Sequence, residues 1–222
     1  MTTRTTEEQI RLSRRHFLSY AGVAAVATLA ACSKDDDNMM NSGIDLGTGD
    51  IGILNYAYAL EQLEAAFYKQ VTDTPYSGII AAETALLTDI RDHEIAHREF
   101  FKNALGAKAI PALEVDFSSI NFTDRSSVLA TAKAFEDLGV SAYNGAGKLI
   151  TSPDYLLLAG KIVSVEARHA AYIRDLISNG SFADNTVIDS NGLEISKSPM
   201  EVLMTASSFL KSKINASNLP TS

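Results

Sequence analysis

The sequence holds a single cysteine in 222 residues, which excludes an intramolecular disulfide framework and any cysteine-rich zinc or iron–sulfur site. Proline is scarce, at 5 residues, and the 13 glycines form no repeat, so the chain is neither collagen-like nor low in complexity. Basic residues are outnumbered, 19 against 27 acidic, for a net charge of -8 and a pI near 5.0. A broad positive footprint for nucleic acid is thereby excluded, and no nucleic-acid partner is expected. No Gly-rich phosphate loop, serine nucleophile elbow or His-Glu-x-x-His metalloprotease motif occurs. What is present is the composition of a globular protein, 46% hydrophobic and 21% charged, in a length suited to one ordinary domain.

The one long apolar run, residues 17–31, follows Ser13-Arg-Arg-His-Phe-Leu18 and ends at Cys32. It is too short to span a bilayer and has signal-peptide proportions. Arg14-Arg15 with Phe17-Leu18 resembles a twin-arginine (Tat) signal. Leu29-Ala-Ala-Cys32 resembles a bacterial lipobox, whose cysteine is acylated and becomes the mature N-terminus. These resemblances imply the Tat export machinery as a partner and a lipid anchor at Cys32, which would hold the protein to the bacterial cell envelope, at the periplasmic side of the outer membrane or at the cell surface. A core helix ending in a buried cysteine is the alternative reading. Ser33-Lys-Asp-Asp-Asp-Asn38 reads either as a surface-lipoprotein export signal or as a plain solvated linker. Loss of residues 1–31 removes four arginines and two glutamates, leaving 15 basic and 25 acidic residues, with His93, His97 and His169 as the remaining histidines.

The rest of the chain reads as helices. Apolar residues recur at helical spacing from Asp50 to about Val71 (Ile53, Ala57, Leu60, Leu63, Phe67), and a turn follows over Thr72–Gly78. A second helix is predicted from about Ile79 to Leu105, stopping at Gly106. Residues 107–122 break the pattern. Thr123 is then placed as the N-cap of a third helix reaching about Ile150, weakened by Gly139, Gly145 and Gly147. Ser152-Pro153-Asp154 starts a fourth helix ending near Gly180. Short turns make antiparallel neighbours, and the long link can cross the bundle, so the expected fold is an all-α four-helix bundle with one long crossover. A short helix from Pro199 to about Lys213 is expected in a C-terminal extension, as a cover on the bundle or a partner surface. The predicted organisation is signal 1–31, flexible tether 32–48, bundle 49–180 and extension 181–222.

Chemistry is carried by a duplication. The second helix contains Asp92-His-Glu-Ile-Ala-His97 and the fourth contains Val165-Glu-Ala-Arg-His169. Each holds Glu-x-x-His, which places a carboxylate and an imidazole one turn apart on one face, within reach of one metal ion. Ala59-Leu-Glu-Gln-Leu-Glu-Ala-Ala-Phe-Tyr68 aligns without gaps on Ala134-Phe-Glu-Asp-Leu-Gly-Val-Ser-Ala-Tyr143, 75 residues later, and the two Glu-x-x-His units lie 72 apart. Two hairpins paired about a pseudo-twofold axis would converge Glu61, Glu94, His97, Glu136, Glu166 and His169. Glu64 falls opposite Gly139, whereas Glu61 falls opposite Glu136, which favours Glu61 as the ligand. Four buried carboxylates cost several kcal/mol each without compensation. Two divalent ions would neutralise them, so metal is expected to stabilise the fold, and the carboxyl pKa values are expected to rise without it.

One Glu, a Glu-x-x-His, one Glu and a second Glu-x-x-His on four helices resemble the ferritin-like di-metal carboxylate superfamily of ferritins, bacterioferritins, rubrerythrins and manganese catalases. The segments Ala59–Tyr68, Asp92–His97 and Leu138–Tyr143 are similar to its bacterial ferritin-like and desiccation-related branch. The resemblance covers roughly residues 50–180. It implies two divalent iron or manganese ions as cofactors and an oxidoreductase of ferroxidase, catalase-like or peroxidase-like type. A metal-binding or stress-protection module without turnover and a metal-free interaction protein are the alternatives. Self-association into a homo-oligomer is left open.

The remaining residues carry weaker expectations. Tyr68 and Tyr143 read as core tyrosines with bonded hydroxyls, or as groups near the metal; Glu64 as a further carboxylate or alternative ligand. His93, about 100° round its helix from Glu94, is expected at the surface or an interface. Arg168 is expected to pair with a carboxylate outside the ligand set. Asp89, Asp92 and Glu99 read as a solvated face.

Overall fold

The computed structural model describes residues 43–221. Arg14, Arg15 and Cys32, with the expected signal and most of the tether, lie outside the described residues. Four long helices make the body: α1 (Gly49–Asp73), α2 (Ala81–Leu105), α3 (Arg125–Gly147) and α4 (Pro153–Ile177). A short helix α5 (Pro199–Ala206) follows in the extension. Strands β1 (Ile44–Asp45) and β2 (Ile214–Asn215) pair in parallel, with Ile44 opposite Ile214. Among the described residues no helix is long and apolar enough to cross a membrane.

Local chemistry sets the helix ends. Ser152 caps α4 by accepting from Tyr155 N, and Pro153 takes the first-turn position where its missing N–H costs nothing. Ser198 and Glu201 form a reciprocal capping box on α5. Two expected boundaries are corrected. The N-cap of α3 is Asp124 rather than Thr123, because its carboxylate accepts from both Ser126 N and Ser127 N at the positive end of the helix. The last helix stops at Ala206 instead of Lys213. Beyond it the backbone bonds the crossover, through Asp116 N to Phe209 O at 2.8 Å and Lys211 N to Glu114 O at 2.8 Å, and this pairing competes with helix. The expected tether also ends early: β1 is paired, and Leu46 is fully buried.

Helices α1 and α3 are buried along nearly their whole length, whereas α2 and α4 keep one face in water. The difference comes from what lies over them. The crossover from α2 to α3 runs past α1, and its backbone groups are satisfied by two buried amides of that helix. Asn55 donates to Leu46 O and Lys108 O and accepts from Ile110 N, while Gln62 accepts from Leu113 N at 2.8 Å. An irregular link crossing apolar helices needs such partners, since an unpaired buried amide costs as much as a lost hydrogen bond. The extension lies over α3, as the reading of that tail as a cover on the bundle expects. Buried Arg174 on α4 fastens its first part, with a two-pronged bond to Asp137 at 2.8 and 2.9 Å and contacts to Asp184 and Thr186.

Two of the glycines that weaken α3 by propensity are explained by close approach. Lys197 N donates to Ser141 O, and a Cβ at Gly145 would collide with the Lys197 carbonyl. At Gly139 a Cβ would lie 3.0 Å from a carboxylate oxygen of Glu64. The sign of a standard stabilising substitution therefore reverses. Gly145→Ala, which gains about 1 kcal/mol in a free helix, is expected to destabilise the protein by about 1–3 kcal/mol by overpacking, read as a lower urea midpoint with an unchanged slope.

Candidate metal centre

The middle of the bundle is built from acids. Glu61 on α1, Glu94 on α2, Glu136 on α3 and Glu166 on α4 are each fully buried, and His169 is 5% exposed. The register follows from helical spacing: Glu94 and His97, like Glu166 and His169, stand one turn apart on inward faces. All six residues expected to converge do so. They form two donor groups, one of Glu61, Glu94, His97 and Glu166, the other of Glu136, Glu94, His169 and Glu166. Within each group one donor atom per residue lies within 4.8 Å of the others. Glu94 and Glu166 belong to both.

Distances repeat across the pseudo-twofold axis. His97 Nδ1 is 2.8 Å from Glu166 Oε1, 3.4 Å from Glu61 Oε2 and 3.6 Å from Glu94 Oε2. His169 Nδ1 is 2.8 Å from Glu94 Oε1, 3.5 Å from Glu136 Oε2 and 3.8 Å from Glu166 Oε2. Each histidine thus lies closest to the carboxylate of the other hairpin. None of these contacts has hydrogen-bond alignment. Eight buried donor atoms, namely Glu61 Oε2, both oxygens of Glu94 and of Glu166, Glu136 Oε2, and Nδ1 of His97 and of His169, have no hydrogen-bond partner among the described residues. Buried polar atoms are otherwise almost always paired. Ligands about 2.1 Å from a common ion stand roughly 3 Å apart, which is the spacing seen. Oxygen and imidazole donors left without partners and turned toward one another fit a divalent cation.

The outer carboxylate oxygens are held crosswise. Tyr68 on α1 donates to Glu136 Oε1 on α3 at 2.5 Å, and Tyr143 on α3 donates to Glu61 Oε1 on α1. Each bond fixes a carboxylate so that its other oxygen, Oε2, faces the centre. Both expectations for these tyrosines describe them: the hydroxyls are bonded, and their partners are carboxylates of the donor groups on the opposite hairpin.

Glu64 is buried in α1 but belongs to neither donor group; its carboxylate sits against Gly139. The glycine opposite it in the repeat is the room it occupies. One expectation needs correction and another an addition. Among the described residues Arg168 pairs with no carboxylate and instead donates to Ser164 O and Oγ at the surface. His93 is solvent-exposed as expected, yet its Nδ1 lies 2.9 Å from His169 Nε2, in contact with the centre. Helical-wheel angle alone missed it; the available signal was its proximity in sequence to Glu94. Asp89 and Asp92 are exposed and Glu99 is half-buried, the last two paired with neighbouring arginines.

Burial and mutual repulsion disturb the titration of the cluster when no cation compensates it. Desolvation, followed by the charge of Glu166, pushes Glu61 up and Glu94 well up, and pushes Glu64 well up, where Glu94, Glu136 and Glu61 add to the repulsion. Burial moves Glu136 to about 7. Glu166 departs from the expected rise. Burial raises it, but the flanking His169 and His97 outweigh that, and it is held low. Burial alone would lower both histidines. The close carboxylates prevail, Glu166, Glu61 and Glu94 around His97 and Glu136, Glu166 and Glu94 around His169, so both imidazoles are pushed up to about 12. Without metal the site therefore balances charge by holding protons.

The folded metal-free chain binds more protons than the unfolded one, through Glu136 between pH 4.5 and about 7 and through the histidines between 6.5 and about 12. Stability must fall as pH rises through these windows. In chelator the thermal midpoint is expected to drop from pH 5 to pH 8. Divalent metal, which replaces those protons, should raise the midpoint more at pH 8 than at pH 5. Melting curves with and without chelator at the two pH values check this; a metal effect that shrinks with pH contradicts it.

Among curated proteins none matches this chain. The family model described as the ferritin-like domain matches residues 49–179, from the first residue of α1 to just past α4. With that match over more than half its length, and with four long helices carrying a buried carboxylate and histidine cluster, the chain belongs to the ferritin-like domain family.

Proposed function

We propose that this is an exported, lipid-anchored ferritin-like protein that holds two divalent ions, iron or manganese, and uses them in redox chemistry with O2 or peroxide. The observation that carries the proposal is the set of eight buried donor atoms without partners, divided into two mirrored groups. Glu61 and His97 would hold one ion, Glu136 and His169 the other, and Glu94 and Glu166, with one oxygen toward each group, would bridge. Carboxylate-rich sites with imidazole suit iron or manganese more than copper. When bound, such a pair supplies Lewis acidity and one electron from each metal.

The chain's own residues provide orientation, charge balance and exclusion of water. Tyr68 and Tyr143 keep the carboxylates of Glu136 and Glu61 turned inward. Glu64, whose pKa is pushed well above the usual carboxylate range by burial and by its acidic neighbours, keeps its proton beside the centre. Tyr143 also borders a small apolar pocket lined by Ile53, Ala57, Leu60 and Phe101. Its apolar wall suits a small uncharged oxidant.

Export rests on Arg14-Arg15, and anchoring on Cys32 at the end of the apolar run. A Tat-type route carries folded proteins, so the metal would be acquired before export. The acyl anchor and the C-terminal extension are awkward in a closed storage shell, which favours a surface-bound redox protein over a cage.

Anaerobic titration of the metal-free protein with Fe(II) or Mn(II) is expected to saturate at two ions per chain, and the loaded protein should consume O2 or peroxide. Two ions without consumption would leave a metal-binding module and end the redox proposal; Glu94→Ala with Glu166→Ala should abolish uptake of both. For the anchor, Cys32→Ala is expected to release the protein from membranes in a high-salt wash, and a variant that stays bound rules out lipidation at that residue.

A further inference from the structure

The two halves of the centre repeat closely, so a place where they differ is informative. His93 on α2 reaches across to His169 on α4. The rings lie 8° from coplanar orientation with centroids 5.1 Å apart, and Nδ1 of His93 is 2.9 Å from Nε2 of His169. With nearly parallel planes and so short a nitrogen separation, the contact runs along the line joining the rings. That is the direction of an in-plane imidazole hydrogen bond.

His169 Nδ1 faces Glu94 and Glu136 in the donor group, so an ion held there by Nδ1 would leave the ring's proton on Nε2, positioned to donate to His93 Nδ1. The Glu-x-x-His repeat is offset by 72 residues, so the position equivalent to His93 is Val165, whose side chain accepts nothing. Among the described residues no group pairs with Nε2 of His97, the equivalent of His169.

We propose that His93 is a positioning residue that makes the two half-sites unequal, orienting His169 so that the ion beside Glu136 is bound more tightly than the ion beside Glu61. The inference rests on the dinuclear reading above and extends it. An imidazole whose far N–H is held has its tautomer and ring angle fixed before metal arrives, and such outer partners typically change affinity by about 10–100-fold. His97 lacks that support, so its half-site fills second and empties first. The inequality gives one tightly held and one more exchangeable ion, an arrangement suited to a centre in which one metal position is loaded from solution.

Anaerobic Co(II) titration of the purified protein, followed by calorimetry and by visible absorption, resolves the two binding steps. Wild type is expected to show two unequal constants. His93→Ala should weaken the tighter step by about 10–100-fold and leave the weaker step within about threefold. His93→Gln, whose amide oxygen can accept from Nε2–H, should recover most of the loss. His93 is exposed, so its replacement leaves the packed core intact. Unchanged constants in His93→Ala, or equal weakening of both steps, would overturn the proposal while leaving the dinuclear reading in place. A wild-type protein that takes up no Co(II) removes the dinuclear reading itself, and the proposal with it.

Discussion

Four carboxylates and two imidazoles facing one another in the buried interior make the constraint around which this bundle is arranged. Negative charge at that depth costs several kcal/mol per group unless a cation, a proton or a hydrogen bond offsets it. All three forms of compensation are visible. Crosswise tyrosines bond one oxygen each of Glu61 and Glu136. Protons accumulate on the histidines and on most of the acids when metal is not available. Among the described residues the remaining inward donor atoms have no hydrogen-bond partner, and a divalent cation would satisfy oxygens and imidazole nitrogens together. The crossover and the C-terminal extension lie over α1 and α3 and bury the two helices that carry Glu61 and Glu136.

The duplication explains the economy of the site. One hairpin contributes a carboxylate with a tyrosine seven residues on, then Glu-x-x-His; the second repeats it, and the axis between them converts one set of positions into two donor groups. Bonds across the axis also make the hairpins depend on each other, since each tyrosine serves the other hairpin's carboxylate. Departures from symmetry are local and have room made for them. Glu64 occupies the space that Gly139 leaves, and His93 supports one ligand histidine where Val165 offers nothing to the other. Such departures are where two metal positions with the same ligands acquire different properties.

Much of this was legible in the sequence because helical geometry is periodic. The spacing of Glu94 from His97 and of Glu166 from His169, and the gapless match of Ala59–Tyr68 to Ala134–Tyr143, place six side chains on inward faces without reference to any fold. What escaped depends on contacts between distant segments. Nothing in the local sequence assigns partners to Asn55 and Gln62, and only the path of the crossover shows whose backbone they satisfy. Gly145 read as a weakness in α3 until the Lys197 carbonyl is seen lying against it. The early end of the last helix reflects competition from pairing with the crossover, which local propensity does not contain. The surface position of His93 was legible, but its contact with His169 was not, because a helix-wheel angle says where a side chain leaves its own helix, not which ring on a neighbouring helix it meets.

The central claim is that these inward-facing groups form one ligand shell for metal. The most direct measurement is a crystal structure of Mn(II)-loaded protein with anomalous data collected at the manganese edge. The account predicts two anomalous peaks, each about 2.0–2.4 Å from its carboxylate and imidazole donors, one among Glu61, Glu94, His97 and Glu166 and the other among Glu136, Glu94, His169 and Glu166. Loaded crystals with no anomalous peak among these six residues, or with peaks only at surface acids, would contradict it.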